Sequence, residues 1–145
     1  MKIVIQRVTE ASVTIDGKVN GQIGKGLMIL IGIAADDTKE KADWIAHKIV
    51  NMRIFEDGEQ HMNLSLKDVN GEILAVSQFT LYADCRKGNR PNFMAAGRPE
   101  MSEPLYEYLC DAIRSHGVNV ETGIFGADMK VSLTNDGPVT IVLER

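Results

Sequence analysis

Two stretches of this chain space their apolar residues as a helix does, whereas most of the rest alternates or runs apolar as strands do, and this imbalance limits the folds open to it. The helical stretches are Lys39 to Met52, with Ala42, Ile45, Ile49 and Met52 on one stripe, and a later one with Leu105, Tyr108, Leu109, Ala112 and Ile113. Strand patterns occur at Ile3, Ile5, Val13 and Ile15, with Asp16-Gly17 as a hairpin turn into 18–23, and in the run Leu27 to Ala35. They recur at 53–56, at 72–77 continued through Phe79, Leu81 and Tyr82, at 118–122, and in the runs 131–134 and 139–143. Strand and helix do not alternate regularly, so the expected class is mixed α/β, which could also be filed as α+β. Two amphipathic helices cover only part of so much sheet, and the remaining apolar face must meet a second sheet, a second copy of the chain, or both. The expected architecture is therefore three layers, two β-sheets with two helices packed on one of them, in a homodimer. At 145 residues with 44% hydrophobic content, one domain spanning 1–145 suffices to bury a core.

Local signals set the expected boundaries. Asp36, Asp37 and Thr38 offer caps for the first helix; Ser102 caps the second, with Pro104 in its first turn and Gly117 at its C-terminal cap.

Several function classes drop out. The apolar run from Leu27 is too short to span a bilayer, and the alternating N-terminus lacks a signal-peptide core, so a cytoplasmic location with no membrane association is expected. Cys85 and Cys110 are far apart with no C-x-x-C spacing, which indicates neither a disulfide nor a metal site. A net charge of −4 gives no global attraction to nucleic acid, so an RNA partner would need a local patch. The segment from Cys85 to Arg98 is one: Arg86, Lys87, Arg90 and Arg98 occur without an acidic residue, and Phe93 could stack a base. A solvated basic loop is the plainer alternative.

The three histidines, His47, His61 and His116, fall on helix surfaces or in a polar loop. With no H-E-x-x-H, G-x-S-x-G, Walker or G-x-G-x-x-G spacing, chemistry without cofactor or metal remains. Ser77-Gln78-Phe79-Thr80-Leu81-Tyr82-Ala83-Asp84 is the densest polar cluster; at a strand end, its hydroxyls, amide and freed backbone N–H groups could surround a carbonyl and its oxyanion. The alternative is an edge strand with a polar solvent face. Asn135-Asp136-Gly137-Pro138 could hold out bare carbonyls, since Gly137 lacks a Cβ and Pro138 lacks an N–H, or could be only a hairpin turn.

Together with the 87–91 loop and Phe125-Gly126-Ala127-Asp128-Met129, these segments make the whole chain resemble the D-aminoacyl-tRNA deacylase family. The resemblance implies a homodimer in which Gly137-Pro138, with a cis peptide bond, reaches into the partner's site, where its carbonyls capture the α-amino group of a D-aminoacyl ester on the terminal adenosine. L side chains would collide with the backbone, while glycine, mischarged on other tRNAs, would pass. It also implies Phe125 and Met129 as adenosine-pocket residues and Arg7 as a brace for the Gly-Pro turn, although a lone N-terminal arginine is more often a surface ion-pair partner. Thr80 is the only candidate nucleophile and lacks a base. Water attack is preferred, with Phe79 and Thr80 amides holding the oxyanion, Ser77 and Gln78 orienting the substrate, and the ribose 2′-hydroxyl assisting. The competing readings are a non-catalytic dimer that binds tRNA ends through Arg86, Lys87, Arg90 and Phe93, and a small-molecule esterase using Thr80.

Overall fold

A computed structural model describes residues 1–145. β1 (Lys2–Ile15) and β2 (Lys18–Ile23) form a hairpin closed by Asp16 and Gly17, whose φ angles of 50° and 77° are those of a type I′ turn. β3 (Gly26–Gly32) returns antiparallel to the first half of β1, pairing Val8 with Gly26 and Lys2 with Gly32. The chain then crosses through α1 (Lys39–Asn51) and a ribbon of β4 (Phe55–Glu56) and β5 (Met62–Leu64) to β6 (Glu72–Ser77), parallel to β3. A second crossover through α2 (Pro99–Ser115) places β7 (Val120–Thr122) parallel to β6. Finally β8 (Lys130–Glu144) runs antiparallel along the outer edge of β1.

The expected mixed α/β class holds, with two helices and two sheets, one of six strands and the other the β4–β5 ribbon. Both helices lie on one face of the large sheet. Ala42, Ile45, Ile49 from α1 and Leu105, Leu109, Ile113 from α2 bury against Ile3, Ile5, Leu27, Ile29, Ile31 and Ile73. On the other face the sheet curls until β2 meets β7, where the Asn20 side chain donates to the Thr122 carbonyl at 2.7 Å. The curl encloses a second core of Val8, Ala11, Val13, Ile23, Met28, Leu74 and Val76.

Thr38 caps α1, accepting the Lys41 N–H. Asp37, also read as a cap, is instead buried, its carboxylate accepting the Ala34 N–H at 2.8 Å and pairing with the Met1 ammonium.

Three expectations about boundaries are corrected. Strand β6 does not continue through Phe79: it ends at Ser77, and Phe79–Tyr82 form a 3₁₀ turn that packs on β3 at Gly32, where a Cβ would stand 3.0 Å from Leu81 Cβ. Ser102 is not a helix cap. Arg98 holds that position, Pro99 opens α2 at the place where its missing N–H costs nothing, and Ser102 lies buried inside the helix. The last two apolar runs are not the arms of a hairpin. Both belong to β8 and pair with β1, because β1 is long enough to serve both and a hairpin would leave half of its outer edge unpaired.

β3 and β6 leave no room for a side chain at Gly26, where a Cβ would stand 1.9 Å from the Glu72 carbonyl oxygen. Gly26→Ala must pry the parallel ladder apart and should lose about 3 kcal/mol or more in urea unfolding; Gly58→Ala, with open space around it, should change stability by less than about 0.5 kcal/mol. The thiols should also separate. Burial pushes the Cys110 thiol up to about 11, whereas Cys85 is exposed. At pH 8 a chromogenic disulfide reagent should therefore modify Cys85 promptly and Cys110 only on unfolding, and Cys85→Ser should abolish the prompt phase.

Candidate active site

The parallel strands β3, β6 and β7 end on the same side of the sheet, and beyond their carboxyl ends lies a cavity of about 560 Å³. Crevices beyond the carboxyl ends of parallel strands are where such sheets hold ligands. β6 delivers Ser77, Gln78 and Phe79 to its rim; the start of α2 supplies Arg98, Pro99 and Ser102; the loop before β8 supplies Phe125, Gly126, Ala127 and Met129. Phe93 reaches it from the basic loop and meets Phe79 edge to face, ring centres 5.3 Å apart. Phe125 is backed by Tyr106, ring centres 6.0 Å apart, and Tyr106 is held by its hydroxyl on the Ala75 carbonyl at 2.9 Å.

Geometry at the strand end follows from where the ladder stops. Gln78 N–H makes the last bond, to the Ile31 carbonyl at 2.7 Å, and the chain then tightens into the 3₁₀ turn. Phe79 and Thr80 stand in its opening turn, where amides have no acceptor within the helix. The Gln78 side-chain amide donates to the Thr80 hydroxyl. No histidine or carboxylate bonds that hydroxyl, and no histidine lines the cavity. No three His, Cys, Asp or Glu side chains converge as metal ligands, and no helix is long and apolar enough to cross a membrane.

Gly137 and Pro138 sit elsewhere. Gln6 pairs with Thr140 and Val8 with Asn135, so a single residue of β1, Arg7, faces four of β8, and Asp136-Gly137-Pro138-Val139 bulge outward. The Gly137–Pro138 peptide bond is cis, and both residues are exposed. Gly137 has φ +123°, and a Cβ there would meet Val139 N at 3.1 Å and Arg7 Nη2 at 3.2 Å. Neither residue lines the cavity of its own chain.

Arg7 is the support under the bulge. It is 3% exposed; Nε donates to the Asp136 carbonyl at 3.0 Å and Nη1 to the Ile54 carbonyl at 2.7 Å, while Glu56 and the Asp136 carboxylate lie 3.6 and 3.4 Å from the guanidinium. Its position on the inward face with Ile3 and Ile5 is the pattern that marks it as buried and not a surface ion-pair partner.

The basic loop is pinched off by paired backbone bonds between Asp84 and Asn92, 2.7 and 2.9 Å long. Arg86 pairs with Asp84 at 2.6 Å, an acid lying one residue before the patch, while Lys87 and Arg90, exposed like Arg86, form no ion pair within the chain. Two polar side chains of the cavity lining went unassigned from sequence: Arg98, read only as part of the basic loop, and Ser102, read as a cap. Pro99 at the first helical position was the signal that could have placed both.

The chain has relatives among known proteins. A family model described as D-Tyr-tRNA(Tyr) deacylase matches residues 4–144. The chain is 59% identical to the D-aminoacyl-tRNA deacylase of Brevibacillus brevis, over 99% of each chain. The solved structure named c-Myc DNA Unwinding Element Binding Protein superposes with a TM-score of 0.93 at 43% identity, covering 100% of this chain and 99% of that one. A probable eukaryotic D-amino acid tRNA deacylase superposes at 0.85 with 20% identity over 98% and 97%, a likeness of fold. The family model covers nearly the whole length and the identity to a curated relative extends over 99% of both chains, so the chain belongs to the D-Tyr-tRNA(Tyr) deacylase family.

Proposed function

We propose that this protein, a hydrolase of the D-aminoacyl-tRNA ester bond, sorts its substrates by handedness with the Gly137–Pro138 main chain of one protomer inserted into the cavity of a second copy. The observation that carries this is the exposed bulge itself: braced by Arg7, yet not part of the cavity lining of its own chain. The face around it suits a second copy. Val131, Leu133, Val139, Ile141 and Leu143 of β8 are all only half-buried, Val142 is 63% exposed, and the strand pairs along one edge only. Such an edge invites coverage.

In the assembled site, Gly137 and Pro138 carbonyls accept hydrogen bonds from the α-ammonium of the aminoacyl group. A D side chain then points away from the main chain, and an L side chain points into it. Exclusion works on every L residue alike, and glycine, on whichever tRNA it is mischarged, escapes it. Ten-thousandfold discrimination requires about 5.5 kcal/mol between the two transition states, beyond the ~1–3 kcal/mol of one lost hydrogen bond, so steric overlap supplies the balance.

Phe125 and Met129 hold the terminal adenosine in the cavity, Ser77 and Gln78 orient the ribose and ester, and the Phe79 and Thr80 amides receive the oxyanion. Water, assisted by the ribose 2′-hydroxyl, attacks the carbonyl; the tetrahedral adduct collapses with release of the 3′-oxygen and a free D-amino acid. Thr80 has no base to activate it and acts through its backbone. Lys87 and Arg90, with Phe93 between them and the cavity, follow the acceptor strand, Arg86 contributing less because Asp84 holds it. The substrate places the protein in the cytoplasm.

Purified protein should deacylate D-aminoacyl-tRNA and leave the L counterpart intact; equal rates would end the handedness reading, and tight tRNA binding without turnover would favour a non-catalytic dimer. Thr80→Val should retain activity within about tenfold, a loss under ~1.4 kcal/mol, whereas abolition of activity would restore Thr80 as nucleophile. Gly137→Ala, forcing a side chain into a φ of +123° against Arg7 and Val139, should lower kcat/KM on D-aminoacyl-tRNA by about a hundredfold through displaced carbonyls. Circular dichroism should show that the variant remains folded.

A further inference from the structure

We infer that Ser102 is a further substrate-binding residue, whose hydroxyl hydrogen-bonds the edge of the purine base held in the cavity. This rests on the reading of that cavity as the terminal-adenosine site and adds a polar contact to it. Among the polar side chains lining the cavity, Ser77 and Gln78 are half-buried and Arg98 is exposed; Ser102 alone is buried, at 5% exposure. A serine inside a helix ordinarily returns its hydroxyl to a carbonyl three or four residues back. Ser115, in the last turn of α2, does so, donating to the Ala112 carbonyl at 2.6 Å. Ser102 does not: its N–H takes the Arg98 carbonyl at 2.9 Å, and its hydroxyl has one partner, the Met101 thioether at 3.9 Å, a weak acceptor.

Space for the hydroxyl is made by Gly97, since a Cβ there would lie 2.6 Å from Ser102 Oγ. One helical turn beyond Ser102, on the same face of α2, Tyr106 backs Phe125. Ser102 thus shares a wall with the aromatic ring assigned to the base, in lining that is mostly apolar, where an unmet hydroxyl is a cost to the empty protein and a hydrogen bond gained when a ligand with ring nitrogens and an exocyclic amine arrives. A serine that neither caps nor back-bonds its helix, and is poorly satisfied where it is buried, contributes to binding and not to folding.

The discriminating experiment uses the full chain and a non-hydrolysable probe, 3′-deoxy-3′-(D-alanylamino)adenosine, with a second probe carrying indole in place of adenine, a ring of similar shape without a hydrogen-bonding edge. By calorimetric titration, Ser102→Ala should bind the adenine probe about three- to tenfold more weakly than the parent protein and the indole probe equally well. Its melting temperature should be unchanged or higher. Equal binding of the adenine probe by both proteins, or equal weakening for both probes, overturns the inference while leaving the cavity as the nucleoside site. If the parent protein binds neither probe, the reading of the cavity fails and this inference with it.

Discussion

The register discrepancy between β1 and β8 is the constraint from which the rest of the molecule follows. Two long strands pair over their whole length, yet one residue of β1 faces four of β8, and the surplus can only leave the plane of the sheet. What keeps the surplus from collapsing is a buried cation. Arg7 is almost out of water, and a buried guanidinium survives only with its N–H groups and charge met. The Asp136 and Ile54 carbonyls and the Glu56 and Asp136 carboxylates meet them. The same bonds that satisfy Arg7 therefore fix the root of the bulge and tie it to the segment entering the β4–β5 ribbon. A bulge held on such a base is fixed in advance, and the binding role proposed for its carbonyls draws on that pre-ordering.

A second constraint shapes the cavity. The strands β3, β6 and β7 stop together, and the chain leaving β6 tightens into a 3₁₀ turn seated on Gly32. That turn ends the ladder and leaves the Phe79 and Thr80 amides without an acceptor inside the helix; the oxyanion role proposed for them draws on such fixed donors, in place before charge develops. The helix start opposite, moved forward to Pro99, brings Arg98 and Ser102 to the same space. None of the three histidines of the chain belongs to the cavity lining.

Much of this was readable from residue order, and the exceptions share a cause. Thr38 at the head of a 3.6-period stripe, Asp16-Gly17 between alternating runs and Gly117 at a helix end are local signals, and each landed where expected. Phe79, Ser102 and the Asn135–Pro138 segment were misplaced because their conformations answer to distant partners. Phe79 leaves the strand because Gly32 gives the turn a seat; Ser102 is interior because the helix begins earlier; Asn135–Pro138 bulges because β1 offers a ladder on both sides of it. Arg86 was counted as free because Asp84, just outside the basic run, turns back to hold it.

The sequence by itself determined the class of fold, the number of helices, the polar cluster at the end of a central strand and the family, since all of these rest on periodicity and short motifs that survive without knowledge of neighbours. Only the tertiary structure decided that Gly137 and Pro138 bulge from a continuous strand, that Arg7 is buried beneath them, and that neither of the two lines the cavity of its own chain. The physical reason is that bulges, buried ion pairs and cavities are relations between segments more than a hundred residues apart, such as the 129 between Arg7 and Asp136, and no local preference encodes them.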